Sequence, residues 1–437
     1  MPRRNFALLL AVSVISLICY QKVQHSPYGR ILAGAMQQVE HRYLEEIPES
    51  ELFEGAMEGI ISRLDEYSAF IPPVQLQQFN EALDQQFGGV GMEVRLDPQT
   101  KELTVTCPLV GTPAYEAGIL AGDKIRRIDD KSTQGMTLRD AVAVMRGEPG
   151  SPVTLTVLHE GDEEPAEITI VRAIIHVDTV LGDTRRADGS WNFFLEGRPR
   201  IGYVRINSFA DKTAEELRRA ISGLIEQKMQ GLILDLRNDP GGLLTAAIEV
   251  CDMFIDSGVI VSTRRRDGSI SRTEYAQPDG TFGDFPMAVL VNHYSASASE
   301  IVAACLQDHH RAVVVGQRTW GKGTVQEVIA LPGERGLLKL TTASYWRPSE
   351  KNIHRVRDAG EDDDWGVRPD PGYEVVVDGE NLQKLRLWRL QRDVFVPAHN
   401  GEEPADKPSD PLAEDPQLSK AIDYVEEQIA KRSAATP

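Results

Sequence analysis

Two short segments carry residue types that could perform nucleophilic chemistry. Residues 294–300 read YSASASE and place Ser297 at the start of a predicted helix, with Glu300 three positions later. Residues 319–326 read TWGKGTVQ and set Lys322 between two glycines. A serine hydroxyl that is activated by a neutral lysine amine can attack a peptide carbonyl without histidine. If the two segments meet in space, the chain is predicted to be a protease.

The serine segment also has a purely structural explanation. Ser297 followed by Glu300 matches a capping box, in which each residue satisfies a backbone amide of the other. The same geometry directs the first helix amides outward beside the hydroxyl, where they can bind an oxyanion. Ser295 and Ser299 compete with Ser297 for the role of nucleophile.

The lysine segment must meet a stricter chemical requirement. To act as a base near neutral pH, Lys322 has to lose its proton, and burial favours this by penalising the ammonium form. Alternation along a predicted strand places Lys322, Thr324 and Gln326 on one face. The amide of Gln326 could orient the amine without adding a negative charge. A solvated surface lysine is the alternative interpretation.

A glycine turn upstream could supply the remaining part of a hydrolytic site. Residues 237–242 read RNDPGG and lie between a predicted buried strand and a helix. Glycine has no Cβ, so its amide can closely approach a substrate carbonyl. We predict that Gly241 or Gly242, with the amide of Ala298, forms a two-donor oxyanion hole. An ordinary strand-to-helix turn is the alternative.

Most of the chain after residue 200 alternates between strand and helix patterns. Such alternation predicts an α/β layered domain with a largely buried sheet. The predicted strands are 201–206, 231–236, 287–291 and 312–316, and the predicted helices are 213–227, 246–254 and 301–308. Near the N-terminus, residues 31–79 are predicted to be helical, with an end or break at Pro72 and Pro73.

Residues 87–173 show a different pattern of predicted elements, with short strands, glycine turns and one helix capped by Thr137. The order of these elements resembles a PDZ domain. The resemblance implies that the next strand pairs with a bound peptide, and that a glycine-rich loop binds the terminal carboxylate. The predicted peptide-binding residues are Gly88, Gly89, Val90, Gly91 and Arg146.

Taken together, the three motifs resemble the carboxy-terminal processing (tail-specific) serine peptidases across residues 37–422. The separation of 25 residues from Ser297 to Lys322, and of four to Gln326, agrees with that family. The resemblance implies Ser297 as nucleophile, Lys322 as general base and Gln326 as orienting residue, with Asp308 in a supporting role. It also implies a crotonase/ClpP-like layered α/β core with an inserted, mainly β PDZ domain. Neither a metal nor an organic cofactor is required.

Length and charge limit the classes of partner. A chain of 437 residues is predicted to hold two to four domains, and a net charge of −19 disfavours binding to nucleic acid. The expected partners are proteins or peptides with exposed apolar C-termini, and a homodimer is left open. The predicted boundaries are 1–25 (signal or signal anchor), 30–85 (helical domain), 86–174 (PDZ domain), 175–396 (peptidase domain), 397–416 (acidic, proline-rich linker) and 417–437 (C-terminal helix).

The N-terminus predicts export. Arg3 and Arg4 precede an apolar run over residues 6–20, which fits the hydrophobic region of a secretory signal. We expect a periplasmic or otherwise extracytoplasmic protein that contacts the membrane only through this segment, and we favour an uncleaved anchor over a cleaved signal.

The four cysteines, Cys19, Cys107, Cys251 and Cys305, include no Cys-x-x-Cys pair. Zinc and thioredoxin-like sites therefore have no support. We expect Cys251 and Cys305 to be buried free thiols, with a disulfide between them as the alternative.

Three other functions compete with a serine-lysine peptidase. The first is a catalytically silent PDZ scaffold, although the serine, lysine and glutamine are all intact. The second is an acyl-CoA enzyme of the crotonase type, which needs neither a PDZ domain nor an export signal. The third is a Ser-His-Asp triad that uses His293, which nothing in the spacing favours.

Overall fold

The computed structural model describes residues 27–393, except 98, 160, 187 and 188, and residues 415–435. The predicted signal (1–25) and nearly all of the predicted linker (397–416) lie outside the described residues. None of the helices in the described ranges is long and apolar enough to cross a membrane. The described residues form two compact units, one containing those up to Leu76 together with Gln326–Thr341, and the other containing those in Gln77–Val325 and from Thr342 onward.

The first unit combines helices from the N-terminal region with a β-hairpin from much later in the chain. Its helices are α1 (Pro27–Arg42), α2 (Glu49–Ile61) and a 3-10 turn (Pro73–Gln75), and its strands include β1 (Ala69–Ile71). The hairpin consists of β20 (Thr324–Ala330) and β21 (Leu337–Trp346), which each also have residues in the second unit. Strand β1 pairs antiparallel with β21, so that Ala69 lies opposite Lys339.

The prediction of helix across residues 31–79 is therefore wrong at β1. The chain turns before this strand because the Asp65 carboxylate accepts hydrogen bonds from the amides of Tyr67 and Ser68, at 2.9 and 2.8 Å. These bonds form an Asx-type turn, which competes with continuation of a helix. The ring of Phe70 on the strand then packs edge-to-face on Phe53 of α2.

In the second unit, the region that resembles a PDZ domain is built around an antiparallel sheet with the order β3-β4-β5-β7-β8. Its elements are α3 (Leu76–Asp84), β2 (Gln86–Gly89), β3 (Met92–Leu96), β4 (Leu103–Pro108), α4 (Pro113–Glu116), β5 (Lys124–Ile128), β6 (Lys131–Ser132), α5 (Leu138–Met145), β7 (Pro152–Leu158), β8 (Ala166–Val171) and β9 (Ala173–His176). The predicted cap of α5 is confirmed, since Thr137 Oγ1 accepts from the Asp140 amide and Asp140 Oδ2 accepts from the Thr137 amide.

The α/β region is built on a sheet with the order β10-β14-β15-β18-β19, in which the last four strands are parallel. These strands are β10 (Val180–Leu181), β14 (Arg198–Ile206), β15 (Gly231–Asp235), β18 (Met287–Val291) and β19 (Val313–Gly316). Strand β13 (Phe194–Leu195) pairs antiparallel with β14 in the same sheet, and β11 (Thr184–Arg185) pairs with β12 (Trp191–Asn192). Strands β16 (Val259–Arg264) and β17 (Ile270–Tyr275) belong to a different sheet, in which β16 pairs with β17 and with the end of β21. The helices are α6 (Thr213–Glu226), α7 (Leu244–Asp252), α8 (Ala298–Asp308), α9 (Gly379–Asp393) and α10 (Pro416–Ala435).

Helices cover both faces of this parallel sheet. On one face, Val204, Leu232 and Val289 share a core with α6, α7 and α8. On the other face, Tyr203 and Ile233 pack with α10. Because both faces are buried, strands β15 and β18 are apolar almost throughout rather than alternating. The result is the three-layer α/β core that the strand and helix pattern predicts.

Candidate active site

Three loops that follow neighbouring parallel strands converge at one edge of the sheet. Residues 236–242 follow β15, residues 292–297 follow β18, and residues 317–323 follow β19. The carboxyl ends of parallel strands meet at a common edge, which is where open α/β sheets place their ligand sites. The topology therefore brings the glycine turn, the serine segment and the lysine segment to the same place.

Ser297 has a strained backbone at the start of α8. Its φ and ψ angles are 57° and −111°, a conformation that a non-glycine residue adopts only when its surroundings impose it. The residue is buried, and its amide donates to Glu300 Oε2 at 2.8 Å. This bond is the backbone half of the predicted capping box. Strain of this kind is typical of functional sites, and a simple helix cap does not need it.

The two competing serines have structural partners. Ser295 Oγ donates to the carbonyl of Leu236 at 2.8 Å and accepts from the amide of Asn292. Ser299 Oγ donates to the carbonyl of Asp239 at 3.1 Å. Both hydroxyls thus join the serine segment to its neighbouring loops. Ser297 and Glu300 instead form the predicted capping box at the start of α8, in which the serine side chain accepts from the Glu300 amide.

Glu300 connects the serine segment to the lysine segment. Its side chain is fully buried, and Oε2 accepts from the amides of both Ser297 and Lys322, each at 2.8 Å. The other oxygen accepts from Thr319 Oγ1 and from the amide of Gly321, each at 2.6 Å. The backbones of the serine and the lysine therefore lie on either side of a single carboxylate oxygen, and the two segments do meet in space.

The same contacts define the charge state of this carboxylate. Burial raises the pKa of Glu300, and the four hydrogen bonds each lower it and offset part of that rise. All four partners are donors, so an ionised carboxylate satisfies them, whereas a protonated acid would present a hydrogen to one of them. The sequence indicated only the capping role of Glu300. The fully apolar residues that follow it in α8 were the signal that the residue is buried and multiply bonded.

Steric requirements, rather than solvent exposure, explain the glycines beside Lys322. A Cβ on Gly321, which has a φ of 88°, would lie 2.7 Å from the Cβ of Arg355. A Cβ on Gly323 would lie 2.2 Å from the backbone nitrogen of His354. The lysine itself is half-buried and precedes β20, which begins at Thr324, so its predicted place inside the strand is wrong by two residues.

Gln326 lies on β20 in the first of the two compact units. Its side chain is half-buried, and Nε2 donates to Thr341 Oγ1 on the neighbouring strand β21 at 3.1 Å. The amide is thus held in a defined orientation by a partner that is distant in sequence.

The glycine turn presents its two amides differently. The Gly241 amide donates to Asp239 Oδ1 at 2.8 Å, which commits it to a structural bond. Gly242 is exposed. Neither its backbone amide nor that of Ala298 donates a hydrogen bond to an acceptor among the described residues. A Cβ at Gly242 would lie 2.0 Å from the carbonyl oxygen of Phe209, so only glycine fits there. Gly242 and Ala298 are therefore the amides of the predicted trio that are available to an oxyanion.

The turn is also anchored by buried ion pairs at the end of β15. The Arg237 guanidinium donates to Asp235 at 2.7 Å and to Asp415, directly before α10, at 2.8 Å. All three side chains are at most 7% exposed. Because each charge has a partner, the buried arrangement fixes the start of the glycine turn without leaving an unpaired ion.

Asp239 is a residue of the turn whose side chain the sequence did not single out. It is fully buried, and its Oδ2 atom has no hydrogen-bond partner among the described residues. Burial raises the pKa of Asp239 well above its ordinary value, and the hydrogen bond from the Gly241 amide offsets only part of this rise. A buried carboxyl without a cation is favoured in its neutral form, so we expect Asp239 to remain protonated at neutral pH.

We expect Asp239→Asn to stabilise the protein at neutral pH but not in acid. Below the pKa of the unfolded chain, about 4, both states hold the proton. At higher pH the unfolded chain ionises while folded Asp239 stays protonated, so wild-type stability falls by up to about 1.4 kcal/mol per pH unit until its raised pKa is reached. The asparagine variant lacks this loss. Denaturation midpoints of both proteins between pH 4 and pH 7 measure the difference, and a gap that does not widen with pH would contradict the neutral form.

Asp308 lies away from the other predicted site residues. It is at the opposite end of α8 from Ser297, separated by about 16 Å along the axis at 1.5 Å per residue. Its carboxylate accepts two hydrogen bonds from Arg347, at 2.7 and 2.8 Å, and one from the amide of Ser349. The observed contacts give it a structural position at the helix end.

A groove of about 440 Å³ lies along strand β3 and helix α5 in the PDZ-like region. Gly89, Val90, Gly91 and Arg146 line it, whereas Gly88 does not. Gly88 belongs to β2, and its carbonyl accepts from the Gly147 amide. The rest of the lining is largely apolar and includes Met92, Val94, Val142 and Met145.

Arg146 lines this groove, and its side chain is also exposed to solvent. Its guanidinium lies 4.1 Å from the ring centroid of Phe87 and 3.1 Å from a carboxylate oxygen of Glu81 on α3. Leu390, from helix α9, also lines the groove. The predicted peptide-binding residues other than Gly88 are therefore gathered around one apolar groove.

The three cysteines in the described part of the chain, Cys107, Cys251 and Cys305, are buried free thiols. Cys251 and Cys305 belong to the core between α7 and α8, and burial raises the pKa of Cys251 well above its ordinary value. Cys19 lies outside the described residues.

Comparison with known proteins defines the class of this fold and site. Residues 200–371 match the model of peptidase family S41, and residues 104–158 match that of the PDZ domain. A carboxy-terminal-processing protease of Bartonella bacilliformis is 38% identical over 79% of this chain and 78% of its own length. A carboxyl-terminal-processing protease of Synechocystis is 35% identical over 73% of this chain and 70% of its own. A solved structure of a photosystem II D1 C-terminal processing protease is 26% identical, covers 80% of this chain and 94% of that chain, and has a TM-score of 0.44.

The chain therefore belongs to the carboxy-terminal processing proteases of peptidase family S41 and contains a PDZ domain. It is a serine-type peptidase, and the predicted fold class and enzyme class are confirmed. The acyl-CoA enzyme and the silent scaffold do not fit this membership.

Proposed function

We propose that Ser297 and Lys322 form the catalytic dyad of this peptidase, supported by Gln326. The observation that carries the proposal is the Glu300 carboxylate, which holds the backbone amides of Ser297 and Lys322 on one oxygen. The strained backbone of Ser297 and the structural bonds of Ser295 and Ser299 support the same assignment.

The proposed dyad acts by nucleophilic catalysis. Lys322, as a neutral amine, accepts the hydroxyl proton while Ser297 Oγ attacks the scissile carbonyl. The amides of Gly242 and Ala298 donate to the oxyanion that develops on the former carbonyl oxygen. The lysine ammonium then protonates the leaving amine, and water hydrolyses the acyl-enzyme by the reverse sequence of proton transfers. The role of Gln326 rests on the resemblance to the family, which implies that its amide orients the amine without adding charge.

A histidine-based triad has less support than the dyad. His293 packs on Tyr294, with ring centroids 3.8 Å apart. Burial, and then the positive charge of Arg386, lower the pKa of His293. A triad histidine would instead need a carboxylate that stabilises its protonated form.

We propose that the PDZ domain binds the C-terminus of the substrate and that this terminus is apolar. The groove along β3 offers a strand edge for main-chain pairing, and its apolar lining suits an apolar terminal side chain. Cleavage would then occur upstream of the captured end. We further propose that the enzyme acts outside the cytoplasm and is tethered to the membrane by its own N-terminal segment. The basic pair at Arg3 and Arg4, followed by the apolar run, supports this proposal.

The proposal is tested by incubating the purified protein with two unstructured polypeptides that differ only at the C-terminus, one apolar and one acidic. We expect faster cleavage of the apolar substrate, and mass spectrometry of the products locates the cut. In parallel, a fluorophosphonate probe should modify a single serine, and peptide mapping should place the adduct on Ser297. An adduct on Ser295 or Ser299 would contradict the nucleophile, and equal cleavage of both substrates would contradict the role of the PDZ groove.

A further inference from the structure

Ion pairs hold helix α9 against the α/β region. The fully buried carboxylate of Asp183 accepts from Arg392 at 2.6 Å and from Arg389 at 3.2 Å. At the end of the helix, Asp393 accepts from Arg205 of β14, also at 2.6 Å. Each of these cations has a carboxylate partner, so the helix is fixed without leaving a buried charge unpaired. Side chains on α9 therefore have defined positions relative to the parallel sheet.

The same helix contacts both the PDZ groove and the serine segment. Leu390 lines the apolar groove along β3. One turn earlier, the guanidinium of Arg386 lies over the ring of Tyr294, 5.0 Å from its centroid, and Tyr294 precedes Ser297 by three residues. Residues four apart share one face of a helix and are separated by about 6 Å along its axis. A substrate that is held in the groove and reaches Ser297 therefore passes beside this face of α9.

Arg386 differs from the two other arginines of α9 because its charge has no carboxylate partner. Its side chain is exposed and forms no hydrogen bond or ion pair within the described part of the chain, in contrast to Arg389 and Arg392. The attraction between a cation and an aromatic ring uses none of the five N–H donors of a guanidinium. These donors have the planar fork geometry that matches a carboxylate. The ring of Tyr294 is itself 38% exposed, so a ligand can reach the pair.

We propose that Arg386 is a specificity-determining residue, which binds a carboxylate side chain of the substrate close to the scissile bond. The inference rests on the proposed roles of Ser297 and of the PDZ groove, because together they place the substrate beside α9. Arg386 forms a charge-assisted hydrogen bond with an aspartate or glutamate of the substrate and repels a lysine or arginine at the same position. The groove then selects the end of the substrate, and Arg386 selects a residue nearer the cut.

The test uses the full-length enzyme and unstructured peptides that share one apolar C-terminus. A single aspartate is moved through the positions around the cut, which mass spectrometry locates, and matched peptides carry lysine at the same positions. We expect the wild-type enzyme to prefer aspartate over lysine at one or two neighbouring positions by about fivefold in kcat/KM, the size of effect that an exposed ion pair can produce.

Variants of Arg386 separate recognition of charge from a structural contact with Tyr294. Arg386→Lys should keep the preference for aspartate, Arg386→Gln should bring the two rates close together, and Arg386→Glu should make lysine the preferred residue at the same positions. Loss of a structural contact can lower the rate for every peptide, but it cannot invert a preference. Lys384→Glu makes the same charge change at an exposed position two residues earlier, on another side of α9, and is the matched control that should leave the preference unchanged.

The outcomes for this inference and for the dyad are distinguishable. A wild-type enzyme that cleaves both sets of peptides equally, or an Arg386→Glu enzyme that still prefers aspartate, would overturn the role of Arg386 and leave the dyad intact. Thermal denaturation midpoints of the same preparations check that the variants are folded. If none of the peptides is cleaved, or if the fluorophosphonate adduct lies on a serine other than Ser297, the proposed dyad is wrong and this inference falls with it.

Discussion

Replacement of Lys322 by methionine is expected to lower kcat/KM for peptide hydrolysis by roughly 10³-fold, within the range that a positioned general base contributes. Methionine keeps most of the length and the apolar stem of lysine but cannot accept a proton. The substitution leaves the four hydrogen bonds to Glu300 in place, because Lys322 contributes to them through its backbone amide. The loss should therefore appear in the chemical step, and denaturation midpoints should change little.

Lys322→Arg is the matched control that separates a base from a cation. Arginine retains the positive charge but cannot be deprotonated in a protein, so we expect it to be as inactive as methionine. Ser297→Ala should lose activity at least as fully, since nucleophile and base act as a unit, whereas Ser299→Ala should retain the nucleophile. An active Lys322→Arg enzyme would show that the lysine supplies charge and not proton transfer.

The pH dependence of the wild-type enzyme follows from the same assignment. Only the neutral amine can accept the proton of Ser297, so the rate below the lysine titration should rise by about tenfold per pH unit. We expect kcat/KM to increase from acid toward neutral pH. A flat profile over that interval would indicate that the base is already deprotonated or that Lys322 does not fill this role.

The sequence was sufficient to identify the two segments and the glycine turn because local rules govern each of them. Each of these features can be predicted from a stretch of about ten residues. They are Ser297 at a helix start, Gly242 after a buried strand and Lys322 between glycines. The alternation of strand and helix then predicted a parallel sheet, and parallel strands necessarily bring their following loops to one edge. This is why a site could be predicted from motifs that are separated by many residues along the chain.

What the sequence could not supply are partners that become neighbours only in the folded chain. Glu300 reads as a helix cap, and its bonds to Thr319 and Gly321 depend on the loop after β19. The contact of Thr341 with Gln326 requires the register of a hairpin, and that of the Thr341 amide with Ser68 Oγ requires β1 to pair with β21. Residues 69–71 were predicted to be helical because local periodicity cannot show that pairing.

The choice between the two oxyanion glycines was also beyond the sequence. Gly241 and Gly242 are adjacent residues of the same type, so the sequence alone does not distinguish them. Both have the positive φ angles that favour glycine. They differ because the carboxyl of Asp239, two residues before Gly241, takes up the first amide. A single side-chain hydrogen bond therefore distinguishes the Gly241 amide, which it occupies, from the Gly242 amide, which has no acceptor among the described residues.

Glu300→Gln is expected to impair both stability and activity, although it changes the side chain by one atom. Glutamine has one acceptor oxygen where the glutamate has two, and its NH₂ group would face amide or hydroxyl donors in a fully buried site. Leaving buried donors unsatisfied costs about 1–3 kcal/mol each, so we expect a loss of roughly 2–5 kcal/mol in the free energy of unfolding. Glu226→Gln, at the exposed end of α6, is the matched control and should change stability by about 0.5 kcal/mol or less.

The loss of activity should exceed what the loss of stability explains. The carboxylate of Glu300 sets the distance between the backbones of Ser297 and Lys322, and a displacement of about 1 Å can cost roughly 10²-fold in rate. At temperatures where Glu300→Gln is still folded, as judged by circular dichroism and by peptide binding to the PDZ groove, kcat should be reduced by at least that factor. Replacing a residue that aligns reacting groups must lower kcat. If the folded variant retains wild-type kcat, Glu300 stabilises the helix start but does not align the dyad.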